Sequence, residues 1–220
     1  NDVLDGGLGA DALDGGQGLD TAIYENATAA VIASLADATV NSGEAAGDSY
    51  TNVENLTGSS LADKLIGDAQ ANVLSGGGGD DVLVGNGSGD TLKGGDGSDT
   101  ASYETATFGV TVSLKDGVGT TGDADGDTLV SIENLIGGTG GDVFAGAEGI
   151  QANAFDGGAG MDTVTYNAST AGVVASLTTG LSGVVQTNDA AGDSFLRIEN
   201  LIGTIYADAL IGDTADNVLT

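Results

Sequence analysis

The chain has 220 residues, with 33 Asp and Glu against four Lys and Arg (formal charge −29), 40 glycines, and no Cys, His, Pro or Trp. Without Cys or His there is no disulfide framework, no thiolate or imidazole metal site, and no customary base or nucleophile for catalysis. So acidic a surface is a poor partner for nucleic acid or anionic membrane, and no apolar run approaches the roughly 20 residues of a membrane span.

The glycines follow a period of nine. From Gly6 to Ile23 the chain reads GGLGADALD and GGQGLDTAI, with glycine first, second and fourth, Asp11 and Asp20 sixth, and Leu13 and Ala22 eighth. Glycines so placed permit a tight turn with φ > 0 and leave main-chain carbonyls uncovered. The subsequent x-U-x segment predicts a short strand with one side chain turned inward.

Tyr24 ends this phase and opens the first of three related insertions, 24–48, 103–127 and 166–193. Each starts with Tyr24, Tyr103 or Tyr166, passes through AVIASL, GVTVSL or GVVASL, and ends in EAAGD, DADGD or DAAGD. Alternation of Val110, Val112 and Leu114 with Thr111 and Ser113 predicts a half-buried strand that adds one rung. The acidic end is expected to loop outward. The tyrosines are expected to close the rung before each insertion at a half-buried edge, a sugar-stacking row being the alternative. The nine-residue phase then returns in SYTNVENLT, TLVSIENLI and SFLRIENLI, with Glu54, Glu133 and Glu199 sixth.

From Gly58 to Ser102, five units of nine run without a gap, with Asp63, Asn72, Asp81, Asp90 and Asp99 sixth and Leu65, Leu74, Leu83, Leu92 and Ala101 eighth. If successive nines lie on opposite sheets of a flattened coil, residues 18 apart stack. Asp63, Asp81 and Asp99 then form one column, and Glu54, Asn72 and Asp90 another. Strands sit about 4.8 Å apart, so stacked carboxylates repel by about 1 kcal/mol per pair in water and about 3 to 4 at an effective dielectric of 20. Such a column needs cations between its rungs. Calcium, which takes about 6 to 8 oxygens from carboxylates and carbonyls, suits what these loops offer.

Later come GGTGGDVFA with Asp142 and Phe144, an 11-residue variant at 146–156 with Asn153 and Phe155, GGAGMDTVT with Asp162, GTIYADALI with Asp208, and GDTADNVLT with Asn217. The D-A-D-G-D of Asp123 to Asp127 departs from an EF-hand loop, because Gly126 is fourth and Asn134 twelfth. A local calcium site at Asp123 and Asp127 stands against a merely solvated acidic loop.

Strict G-G-x-G-x-D matches begin at Gly6, Gly15, Gly76, Gly94, Gly137 and Gly157. Disordered glycine-rich linkers lack a regular apolar residue at a fixed place in the period. The full pattern G-G-x-G-x-D-x-U-x is a calcium-binding parallel β-helix repeat, and the chain resembles the RTX family of secreted calcium-binding proteins. The expected fold is all-β, a right-handed parallel β-roll or β-solenoid over 1–220, with repeats at 1–23, 49–102, 128–165 and 194–220.

The resemblance implies multiple calcium ions held by Asp11, Asp20, Asp81, Asp99, Asp142 and Asp162 with carbonyls of their loops. The candidate metal-binding glycines are Gly6, Gly9, Gly15, Gly18, Gly76, Gly79, Gly94, Gly97, Gly137, Gly140, Gly157 and Gly160. Asp63, Asp90 and Asp208 complete the set with Asp123 and Asp127. Asn72, Asn153 and Asn217 remove a charge at the same position. The resemblance further implies export by type I secretion and folding outside the cell. The chain is then expected to be a non-catalytic, calcium-binding repeat region of a large extracellular or cell-surface protein such as an adhesin, surface layer or matrix filament. The alternative is the folding domain of a secreted protease, lipase or polysaccharide-modifying enzyme. Opening at position five of a unit and stopping at position nine, it is expected to sit in a longer array or a head-to-tail stack, with calcium and a cell-surface or matrix polysaccharide as partners.

Overall fold

The computed structural model describes residues 1–149, 151–178 and 185–220. Ile150 of the 11-residue unit and 179–184 of the third insertion lie outside the described residues. The described residues hold short strands and 3-10 turns without an α-helix. They fall into two compact units, Asn1–Ser102 with Asp123–Ile132, and Tyr103–Gly122 with Glu133–Thr220.

The first unit is a parallel β-roll. One sheet carries, in order, Val3–Leu4, Thr21–Ile23, Asn55–Thr57, Val73–Gly78, Thr91–Asp96 and Thr128–Val130. A second sheet carries Ile32–Ser34, Lys64–Ile66, Val82–Val84 and Thr100–Ser102, while Ala12–Asp14 pairs with Ser49–Thr51. Between the insertions the chain changes sheet after every nine residues, so the repeat register there is 18, as in Asn55 with Val73, Val73 with Thr91, and Lys64 with Val82.

The second unit is built the same way. Thr111–Ser113, Val143–Ala145, Thr163–Thr165, Asn200–Ile202 and Val218–Leu219 form one parallel run, to which Val118–Thr121 adds antiparallel. Asn134–Ile136, Ala154–Asp156 and Ser194–Leu196 form another.

The three-residue strands are a consequence of the period: six residues make the turn, and the remaining three hold one inward side chain. Leu56, Leu65, Leu74, Leu83 and Leu92 have no exposed surface. In the second unit aromatics share that interior place with Leu135, Val164 and Leu201, and the rings of Phe144 and Phe155, and of Phe155 and Phe195, stack with centroids 6.1 Å apart. Each insertion contributes the extra rung expected of it. Ile32–Ser34 pairs with Lys64–Ile66, Thr111–Ser113 with Val143–Ala145, and Val174–Ser176 with Ala209–Ile211.

The acidic ends of the insertions differ from expectation: they are repeat loops that do not swing outward. Gly43–Ala45, Gly122–Ala124 and Asn188–Ala190 form 3-10 turns, and Asp48, Asp127 and Asp193 are buried. GEAAGDSYT, GDADGDTLV and NDAAGDSFL are therefore nine-residue units whose strands are Ser49–Thr51, Thr128–Val130 and Ser194–Leu196. Each is succeeded by a six-residue unit, with a turn of three residues before Asn55–Thr57, Asn134–Ile136 or Asn200–Ile202. Asn52, Ser131 and Arg197, at φ 51°, 51° and 52°, make that short turn.

Burial of one side chain per rung makes the interior position decisive. Leu83→Asp places an unpaired charge in a site with no exposed surface, and in calcium it should abolish the cooperative thermal transition seen by circular dichroism. Phe108→Asp, at a residue 76% exposed, should shift Tm by no more than about 3 °C.

Candidate metal centres

The sixth residue of each unit lies at the sheet edge, where its backbone N–H is buried and needs an acceptor. Within the ladders the side chain one rung further on provides it, while Asp48, Asp127 and Asp193 donate to the carbonyls of Ala45, Ala124 and Ala190 in their own turns. Asp63 N–H donates to Asp81 Oδ1 and Asp81 N–H to Asp99 Oδ1, each at 2.8 Å. On the other edge Asn72 N–H donates to Asp90 Oδ1 and Asp90 N–H to Asp127 Oδ1, again at 2.8 Å. In the second unit Asp142 N–H donates to Asp162 Oδ1 at 2.7 Å and Asp162 N–H to Glu199 Oε2 at 2.9 Å. The columns expected at a spacing of 18 are thus hydrogen-bonded ladders along Asp63, Asp81 and Asp99 and from Asn72 to Asp90, whereas Glu54 meets Asn72 through its carbonyl, which accepts from Asn72 Nδ2 at 2.8 Å. Glu54 and Glu199 reach into them from three-residue turns, where an Asp would fall short; Glu54 accepts from Asp20 N–H at 2.9 Å.

One carboxylate oxygen is engaged by the ladder, and the backbone of the loop decides the fate of the other. Asp11, Asp20, Asp81, Asp90 and Asp162 keep a buried Oδ2 with no hydrogen-bond partner. In each of their loops the second and fourth residues have positive φ: Gly7 and Gly9, Gly16 and Gly18, Gly77 and Gly79, Asn86 and Ser88, Gly158 and Gly160. The loop of Asp99 has the same form through Gly95 and Gly97. We call these loops open.

Here glycine answers two demands. At Gly95, φ is +116° and an added Cβ would lie 2.1 Å from the Gly77 carbonyl oxygen of the neighbouring rung. At Gly76 it would lie 2.1 Å from Asp81 Oδ2. Carbonyls and carboxylates therefore crowd the same turn, a donor set of hard oxygens suited to calcium.

Other loops are closed. The second oxygen of Asp142 accepts from Gly138 N–H at 2.9 Å, that of Asp208 from Thr204 N–H at 2.7 Å, and that of Asp63 from Ser59 N–H at 2.5 Å. Asn72, Asn153 and Asn217 likewise accept from Asp68, Ala147 and Asp213 N–H. Gly137 to Asp142 matches the strict motif yet is closed, because the first turn of the insertion packs on it: Thr139 N–H donates to the Ala106 carbonyl at 3.0 Å. Gly85 to Asp90 fails the strict motif yet is open, with Asn86 and Ser88 taking the left-handed conformation that glycine favours.

Asp63, Asp142 and Asp208 share one more feature. The rung before each belongs to an insertion and presents Val31, Val110 or Val173, whose N–H donates to that Asp. The valines mark where a ladder begins, and their fixed place before IAS, TVS or VAS was the available sequence signal. Of Asp123 and Asp127, Asp127 is buried in the ladder and Asp123 lies in the first turn of the 3-10 segment.

Among hydrogen-bonded neighbours in the ladders of the described residues, Asp81 and Asp99 are the pair in which both loops are open. No three acidic side chains converge on a metal-sized site among the described residues. An ion there would take carboxylate oxygen from Asp81 and Asp99 and complete its shell with loop carbonyls. Burial pushes the Asp81 carboxyl up to about 7, with Asp99 and Asp63 beside it adding to the rise. Burial does the same to Asp90, to about 7, with Asp127 contributing, and raises Asp162 to about 6. Asp208 is only half-buried; its desolvation pushes upward too, yet hydrogen bonds from Val173 and Thr204 together hold it below its ordinary value. In the open loops of Asp81, Asp90 and Asp162 burial thus disfavours ionisation unless a cation is supplied, and burial raises Asp142 in its closed loop as well.

Residues 1–22, 57–92 and 84–102 match the RTX calcium-binding nonapeptide repeat, in four copies. No curated protein is significantly similar to the chain.

Asp81→Ala should weaken calcium binding at least about tenfold at one site in a calcium titration, because it removes the carboxylate shared by the ladder and the Asp81–Asp99 pair. Asp142→Ala should leave the number of bound ions unchanged, both its oxygens being engaged already. In the calcium-free protein, Asp81 and Asp90 keep protons between about pH 4 and 7 that the unfolded chain, with its carboxyls near 3.8, has released. Stability without calcium should therefore fall as pH rises from about 4 to about 7. Calcium competes with those protons, so its affinity should fall as pH drops below about 7, read by titration at about pH 5, 6 and 7.5.

Proposed function

From a chain that carries RTX calcium-binding nonapeptide repeats, we propose a calcium-dependent structural region of a secreted protein, exported unfolded and ordered by calcium outside the cell. Within that class we assign it to a cell-surface or matrix component such as an adhesin or surface-layer protein. The observation that carries the calcium role is the coincidence of two independent features: Asp11, Asp20, Asp81, Asp90 and Asp162, each with an unpartnered buried oxygen, sit in loops whose second and fourth residues have positive φ. A fold that buries anionic oxygen without a donor is incomplete by the full desolvation cost of that group, on the order of 1–3 kcal/mol each and more for a charge. A divalent cation removes the cost.

Three related insertions that keep the ladder register support a surface role over a plain folding domain, since the latter needs no recurring elaboration. The repeat loops act as structure here, and no catalytic role is assigned to their acids.

Calcium should be required for the open-loop rungs and should stabilise by mass action. Chelation should remove the β-type circular dichroism of these rungs, and calcium should restore it. Magnesium at equal concentration should restore little, since it demands near-octahedral geometry and retains its waters. A spectrum unchanged by thorough chelation would overturn the calcium role.

A further inference from the structure

The carboxylates that end the insertions have found another partner. Asp48 Oδ1 accepts from Asp11 N–H at 2.9 Å, so it stands in the ladder as any sixth-position Asp does. Its Oδ2, the atom left over in an open loop, accepts from the Tyr24 hydroxyl at 2.9 Å. Asp193 repeats the arrangement, with Oδ1 accepting from Asn153 N–H at 2.9 Å and Oδ2 from the Tyr166 hydroxyl at 2.6 Å.

Both tyrosines are at most 3% exposed, and both rings come from the first residue of the insertion whose last residue they meet. Amides brace both loops. Asn41 Nδ2 donates to the Asp48 carbonyl at 3.1 Å, and Gln186 Nε2 to the Asp193 carbonyl at 2.6 Å. The loop backbone differs from the open form in the same way in each. Positive φ falls on the first and fifth residues, Gly43 and Gly47, and Asn188 and Gly192. The far side of each insertion is sealed as well, because Val31 and Val173 head the next ladder and Asp63 and Asp208 are closed.

We propose that each of these tyrosine hydroxyls occupies the role of a calcium ion, so that the rungs at 43–51 and 188–196 are ion-independent, interrupt the calcium ladders and stay ordered when calcium is absent. Burial keeps both hydroxyls protonated well above the ordinary tyrosine range, so they remain donors throughout the physiological range. The tyrosine brings one donor where an ion would need several oxygens, which explains why the carbonyl-exposing glycine pattern at positions two and four is absent from these loops. The inference rests on calcium ordering the open loops, and the two ideas separate in one experiment.

Hydrogen exchange read by mass spectrometry on the whole chain, with calcium and with excess chelator, supplies the test. In chelator, amides of 43–51 and 188–196 should exchange at least about tenfold more slowly than those of 76–102, whereas in calcium all three segments should be protected. Loss of protection in all three segments would overturn the tyrosine role and leave calcium ordering intact. Protection of all three in chelator would instead overturn calcium ordering itself. Tyr24→Phe removes the hydroxyl and keeps the ring; it should make protection of 43–51 calcium-dependent and leave 188–196 as it was. Tyr166→Phe should do the converse. Unchanged protection in both variants would also overturn the proposal.

Discussion

A nine-residue period leaves one buried backbone N–H at each sheet edge, at the residue where turn becomes strand, and along the ladders that donor is satisfied from the next rung. The arrangement of the ladders depends on this one bond. In the 3-10 turns that end the insertions a carbonyl of the same turn takes this N–H, as Ala45 does from Asp48; in the ladders a side chain with an acceptor oxygen stands at the sixth place of the next rung. Asp fills the role from six-residue turns and Glu from three-residue turns, whereas the side-chain oxygen of Asn153 is spent on its own loop. The sixth position is thus occupied by an acceptor for a structural reason, whether or not an ion is ever held there.

Metal chemistry enters only through the second oxygen. Three backbone solutions occur among the described residues. Positive φ at places two and four leaves the oxygen without a partner; a loop lacking it turns its own N–H toward the oxygen; and positive φ at places one and five accompanies a tyrosine hydroxyl. The same carboxylate type is accordingly a strong ligand candidate, a saturated acceptor or half of a side-chain pair, and its loop conformation decides which. Burial makes the first case matter, since an exposed oxygen would simply be hydrated.

Much of the architecture was legible from residue types. The spacing of 18 and the buried eighth position came from glycine and leucine periodicity, and the rung within each insertion from apolar alternation as at Val110, Val112 and Leu114, because sterics at tight turns and one inward side chain per strand leave few options. The acidic ends were harder. Gly43 and Asp48 stand five residues apart as in any unit, but Glu44, Ala45 and Ala46 between them carry none of the glycine signal, and a 3-10 turn replaced the expected outward loop. The division of loops was harder still. Gly138 can adopt either sign of φ, and a contact from Ala106, distant in sequence, selects the closed form; Asn86 and Ser88 adopt a conformation that their identities only weakly favour. The tyrosines were expected at a half-buried edge, and full burial at 2–3% exposure excludes the sugar-stacking alternative for them.

The ladder bond has a direction. In every case where it joins successive turns, the donor N–H lies on the earlier rung and the accepting carboxylate on the later one. A chain that becomes ordered from its C-terminal side sets each acceptor in place before the donor arrives, and the incoming N–H lands on a prepared carboxylate. Ordering from the N-terminal side leaves the leading N–H exposed at the growing face until the following turn closes over it. The two ends of a growing array are therefore chemically unlike, one presenting oxygen and the other hydrogen, and the rate of elongation in calcium is expected to depend on which end leads.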